Sequence, residues 1–100
     1  MEDTRKFQQE CCALIDRFCG KFMQHRPLAP KAKRMVKMLA GSGEPLRGEP
    51  GGWAGGIIHA MTCHGCGVPG VLNASLEKSF GVTIGTIRKR AAQIGRLFEV

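Results

Sequence analysis

Seven of the eight Cys and His side chains able to bind a metal or act as nucleophiles fall in two groups, Cys11, Cys12 and Cys19 near the start and His59, Cys63, His64 and Cys66 later, with His25 apart. Cys63 and Cys66 form one C-x-x-C in "CHGC", the ligand spacing of a tetrahedral zinc, which Cys11, Cys12, Cys19, His59 or His64 could complete. A second pair is missing, so no metal is expected, with Cys63 and Cys66 as the weak candidates. A thioredoxin-like role would place the motif ahead of a helix in a βαβ unit. The odd cysteine count, without a signal-peptide hydrophobic run, predicts a reducing cytoplasm rather than a disulfide framework.

Catalysis has little support. No His, Cys or Ser is supplied with a recognisable base and orienting acid, and acids are scarce beyond the first helix. His25 reads as a surface residue, His59 as a core-edge residue and His64 as a turn residue. "GSGEPLRGEPGG" lacks the G-K-[ST] ending of a phosphate-binding loop. The expectation is a non-enzyme without a cofactor.

Charge is the stronger signal. The net charge of +7 is carried by two segments: residues 25 to 40 hold Arg26, Lys31, Lys33, Arg34 and Lys37 with no acid, and residues 83 to 100 hold Arg88, Lys89, Arg90 and Arg96 against Glu99. Such patches suit a phosphate backbone or another anionic surface through Coulomb attraction and counterion release. They also suit the solvated outer face of a helix. No apolar run approaches the about 20 residues that span a bilayer, so no membrane partner is expected.

The elements that must position these charges read as helices. Phe7, Cys11, Leu14, Ile15, Phe18, Phe22 and Met23 recur at steps of three and four, one inward stripe of a first helix that Pro27 cannot continue. Pro30 opens a second helix with Ala32, Met35, Val36 and Leu39 inward and Gly41 as its stop. A Gly- and Pro-rich loop follows, in which Leu46 plugs the core. "GGWAGGIIHAMTCHG" keeps helical spacing at Trp53, Ile57, Ala60 and Met61, although Gly55 and Gly56 each cost about 1 kcal/mol relative to Ala. Small or apolar on nearly every side, it reads as a central helix crowded by its neighbours. Beyond the "HGCGVPG" turn, Asn73 or Ser75 can cap a short helix with Leu76 and Phe80 inward, and Gly81 can take the positive φ of a tight turn. A last helix from Ile84 carries Ile87, Ala91, Ile94 and Phe98 on its core side. No strand is predicted; residues 1 to 100 read as a single all-α domain.

A short helix, a glycine turn and a second helix held by buried Ile87 make up a helix-turn-helix over about residues 74 to 98. Many bacterial versions place a small residue four positions before the glycine, where this chain has Glu77. "GVTIGTIRKR" resembles the end of a repeat of transcription factor IIB, whose cyclin-type domains close with a similar G-V-T-x-x-T-I-R-x-R. "RGEPGGWAGGIIHA" is similar to that family's third helix, G-x-x-P-x-x-x-A-A-x-I-Y-x-A, and to an uncharacterised prokaryotic domain family with a P-L-x-R-G-x-P-x-x-W-A-A-x-I-x-x-A core. The resemblance covers about residues 10 to 98 and implies a five-helix cyclin-like repeat with the third helix central. Residues 1 to 100 are expected to form one such repeat instead of two, without the zinc ribbon that precedes them in that family. In that family the residues around T-I-R touch promoter DNA, which implies a role for Arg88; Gly85, just before the threonine, has no side chain to contribute.

The expectation is thus a DNA-binding, transcription-related protein with its last helix in the major groove. Arg88 or Lys89 would donate to guanine O6 and N7, and Thr83 and Thr86 would hold a phosphate near the helix N-terminus. Arg90, Arg96 and the second-helix lysines would add backbone attraction. The alternative is a cyclin-like adaptor that binds a protein partner through the Met-bearing second helix and the Gly-rich loop; a homodimer is compatible with either.

Overall fold

The computed structural model describes residues 2–43, 46, 48–62 and 70–98. Five α-helices and one 3-10 segment occur among the described residues, with no strand. None of these helices is long and apolar enough to cross a membrane.

Helix α1 (Glu2–Lys21) buries Phe7, Cys11, Ile15, Phe18 and Cys19 and half-buries Leu14; Phe22, just past its end, is half-buried as well. The inward stripe stops one residue short of its predicted end, because Met23 is 66% exposed. Phe22 leaves helical geometry (φ −113°, ψ 85°), and the chain continues as a 3-10 turn over Met23–Leu28, which breaks the helical phase that would have turned Met23 inward. The same turn carries His25 inward. Expected at the surface, it is only 7% exposed and stacks on Phe18, ring centroids 5.8 Å apart.

Helix α2 (Ala29–Ala40) has Pro30 in its first turn, where a missing N–H costs nothing, and buries the predicted Ala32, Met35, Val36 and Leu39. Its end is closed by the Gly41 N–H, which donates to the Lys37 carbonyl, and by the Ser42 hydroxyl, which donates to the Leu39 carbonyl at 2.7 Å. Lys33 pairs with Asp16 at 2.7 Å, tying α2 to α1 across an exposed seam. Leu46 packs half-buried against the core, as expected of a plug.

Helix α3 (Pro50–Thr62) is buried at every position from Gly51 to His59. It packs against α1 and α2 as well as two later helices, α4 (Asn73–Phe80) and α5 (Ile84–Phe98), and its most extensive partner is α5. Glycine makes that approach possible. A Cβ on Gly51 would run into the Phe80 carbonyl oxygen, and one on Gly56 would lie 2.9 Å from the Arg90 Cβ and 3.0 Å from the Ala91 nitrogen. The loss in helix propensity is offset by close burial of α3 against α5.

Helix α4 has no side-chain cap. Leu72, extended at ψ 149°, is its N-cap, and its carbonyl accepts from the Ser75 and Leu76 N–H groups. Asn73 is thus already inside the helix, and neither Asn73 nor Ser75 caps it as expected. Leu76 and Phe80 are buried, with the Phe80 ring 5.2 Å from that of Phe18. Gly81 takes φ 70° and its N–H donates to the Glu77 carbonyl at 2.8 Å, so the chain turns at once into α5.

Candidate nucleic-acid interface

Helix α5 is amphipathic, with Ile87, Ala91 and Ile94 buried against α3 and α4. Gly85, Arg88, Lys89, Ala92 and Arg96 are all exposed, at steps of three and four. These positions span about 100° of the helix circumference and about 16 Å of its length. The structure therefore brings Arg88, Lys89 and Arg96 onto one outward face, with two small residues between them.

Arg90 does not join that face, contrary to the expectation that it would add backbone attraction. Its guanidinium carbon lies 4.6 Å from the Trp53 ring centroid, and one of its terminal nitrogens donates to the Gln93 side-chain oxygen at 2.9 Å. Its Nε is buried without a hydrogen-bond partner among the described residues. Gly52 and Gly56 leave the space the side chain occupies, since a Cβ on Gly52 would meet the Arg90 Cγ at 3.5 Å. The cause is angular: consecutive helical residues are about 100° apart, so three neighbouring bases cannot all face one way.

The N-terminus of α5 also differs from expectation. The Glu77 carboxylate accepts the Ile84 N–H at 2.8 Å, reaching across the turn from the position where many bacterial versions carry a small residue. Thr83 accepts the Thr86 N–H at 3.3 Å, and the two hydroxyls lie 3.1 Å apart. One of the two hydroxyl hydrogens assigned to a phosphate is thus engaged between the threonines, as is the Thr86 N–H, and a negative charge stands beside them. The sequence reading singled out Glu77 only as a departure from the bacterial pattern and missed its contact with the start of α5. Its signal was present: Glu77 is the only acid between residues 70 and 98, seven residues ahead of a helix start that favours negative charge.

His59, near the end of α3, is 8% exposed and its Nε2 has no partner among the described residues. Burial, and then the positive charge of Arg88, hold its pKa below the ordinary value of 6.5. In the basic segment of residues 25 to 40, Arg26, Lys31, Arg34 and Lys37 are exposed, while Lys33 is engaged with Asp16. Helix α2 packs on α1 and α3 rather than on α5, so this segment belongs to a different helix surface.

The described cysteines are poorly suited to nucleophilic chemistry. Burial, with the neighbouring Cys12 and Glu10, pushes the Cys11 thiol up to about 12, and the thiol donates to the Pro50 carbonyl at 3.5 Å. Burial raises Cys12 and Cys19 as well. Cys63, His64 and Cys66 lie outside the described residues, and among the described residues no three His, Cys, Asp or Glu side chains come together as a metal set. Comparison with protein-family models, curated proteins and solved structures finds no match to this chain.

Proposed function

We propose that this chain is a DNA-binding, transcription-related protein without enzymatic activity, built as a single cyclin-like repeat that ends in a helix-turn-helix formed by α4, the Gly81 turn and α5. The observation that carries the reading is the outward stripe of Arg88, Lys89 and Arg96 on α5, exposed together, with no acid among the described residues of that helix. A helix of this width and charge fits a major groove and its flanking phosphates. The central, glycine-lined α3 supports the cyclin-like arrangement, and the resemblance of "GVTIGTIRKR" to the close of a transcription factor IIB repeat supports the assignment of α5. The odd number of cysteines supports a reducing, cytoplasmic location for it.

The test is fluorescence anisotropy on a mixed-sequence duplex at about 50 and 200 mM salt, comparing the chain with an Arg88→Ala, Lys89→Ala double variant. Affinity that falls steeply with salt and drops in the variant, with helicity unchanged by circular dichroism, supports the proposal. No binding at low salt turns the search to protein partners. One observation favours an adaptor as the second reading: Met38 is 56% exposed on the outer face of α2, at helical spacing from Lys31 and Arg34, a surface suited to an acidic partner.

A further inference from the structure

The atoms that α5 can present to a nucleic acid are fewer than its sequence promises, and their chemistry is uniform. A groove-reading helix discriminates bases chiefly with side chains in its N-terminal turns, bidentate Arg on guanine and Asn or Gln on adenine being the most informative. The outward positions in the first turns of α5 are Gly85, without a side chain, followed by Arg88 and Lys89. Gln93, the only amide on the helix, is held by Arg90, which itself lies over Trp53. Thr83 and Thr86 share one hydroxyl hydrogen, which leaves a single threonine donor there, and the Glu77 carboxylate occupies the N-terminus, where it opposes a phosphate or a deep insertion of that end. What is left outward is a row of cations that ends at Arg96, on a face kept low by Gly85 and Ala92.

Single strands are disfavoured for a separate reason. Their sequence-tolerant binding uses exposed aromatic platforms. Here Trp53, Phe7, Phe18 and Phe80 are buried, and Phe22, the one aromatic side chain described that is partly exposed, packs tilted against Phe18 with the Lys21 ammonium over its ring.

We infer that α5 binds duplex DNA through its sugar-phosphate backbone, independently of sequence, with Arg88, Lys89 and Arg96 as the contacting residues. The inference rests on the reading of α5 as the DNA-facing helix and adds the substrate class. Phosphate contacts of this kind position a protein on a duplex without carrying sequence information, and any target selection then comes from another component.

The experiment measures anisotropy on A·T-rich, G·C-rich and mixed duplexes of about two helical turns, on the matching single strands and on a duplex RNA, at about 50 and 200 mM salt. The DNA duplexes should agree within about fivefold, the discrimination that even one read base pair would exceed. Single strands and duplex RNA should bind more weakly. Three neutralised phosphates give a salt slope near −2.7, about a 40-fold loss across that range. Arg88→Gln, Lys89→Gln and Arg96→Gln should each flatten the slope by about one on every duplex; all three residues are exposed, so the fold is retained. A larger sequence preference that Arg88→Gln erases, or tighter binding to single strands, overturns the inference and leaves α5 as a DNA-binding helix. Absence of binding at low salt, preference for duplex RNA, or binding that survives all three substitutions together overturns the DNA reading of α5 itself.

Discussion

Arg90 stacks its guanidinium over the indole of Trp53, 4.6 Å from the ring centroid, while Arg88, two residues earlier on α5, projects into solvent. Neighbouring arginines thus hold opposite roles, one in packing and one in binding. Arg90→Ala should lower unfolding free energy by about 1–2 kcal/mol, through loss of the cation–π contact and of its packed stem. Arg88→Ala should stay within about 0.5 kcal/mol. For duplex affinity the order reverses, with the larger loss at Arg88. Urea denaturation and anisotropy on both variants check the pair, and equal stability losses would show that the Trp53 contact contributes nothing.

The α3–α5 seam makes glycine irreplaceable in one helix and dispensable in the other. Gly56→Ala places its Cβ 2.9 Å from the Arg90 Cβ and 3.0 Å from the Ala91 nitrogen, so a helix must shift. A destabilisation of about 1–3 kcal/mol is expected, despite the better helix propensity of alanine. Gly85 on the exposed face of α5 has only the Thr83 hydroxyl near a new Cβ, at 3.9 Å. Gly85→Ala should therefore stabilise by up to about 1 kcal/mol. Thermal or urea unfolding of the two variants should show shifts of opposite sign.

These contrasts indicate what the sequence could and could not reveal. The core of α2 was legible residue by residue, because Ala32, Met35, Val36 and Leu39 repeat with helical period and nothing competes for that face. The glycines of α3 were legible as a demand for close approach, though not their particular neighbours. The orientation of Arg90 was not, since it depends on Trp53, which lies on another helix and meets Arg90 only after α3 and α5 have packed. His25 was misplaced for a related reason: its polarity suggested the surface, while the early end of α1 sets its ring against Phe18. Asn73 carries a capping side chain one position too late to use it, because extended Leu72 already holds the N-cap. Local pattern fixes the elements, and long-range packing decides which side chains are left outward.

Glu77 couples stability and binding in opposite directions. Its carboxylate accepts the Ile84 N–H and compensates the positive end of α5. Glu77→Gln keeps an acceptor oxygen and removes the charge, at an expected cost of about 0.5–1 kcal/mol. The same change removes the only acid in α4 and α5 up to Phe98, so duplex affinity at low salt should rise a few-fold while the chain becomes less stable. A variant that loses both stability and affinity would mean that the carboxylate organises α5 for binding rather than opposing it.

His59 gives the fold a pH response with a definite direction. Burial first and the Arg88 charge second hold its pKa below the ordinary 6.5, with Nε2 lacking a hydrogen-bond partner among the described residues. Above 6.5 the imidazole is neutral in the folded and unfolded chain alike, and the full stability is present. As pH falls below 6.5 the unfolded chain takes up a proton that folded His59 resists, so the unfolded state binds more protons and stability declines until the depressed pKa is passed. The urea midpoint should therefore be lower at about pH 5.5 than at about pH 7.5, and His59→Leu, which keeps an apolar side chain against α5, should flatten that difference. Arg88→Gln should reduce it in part, by removing the second cause. An unchanged pH dependence in His59→Leu would place the titrating group elsewhere and leave His59 as packing alone.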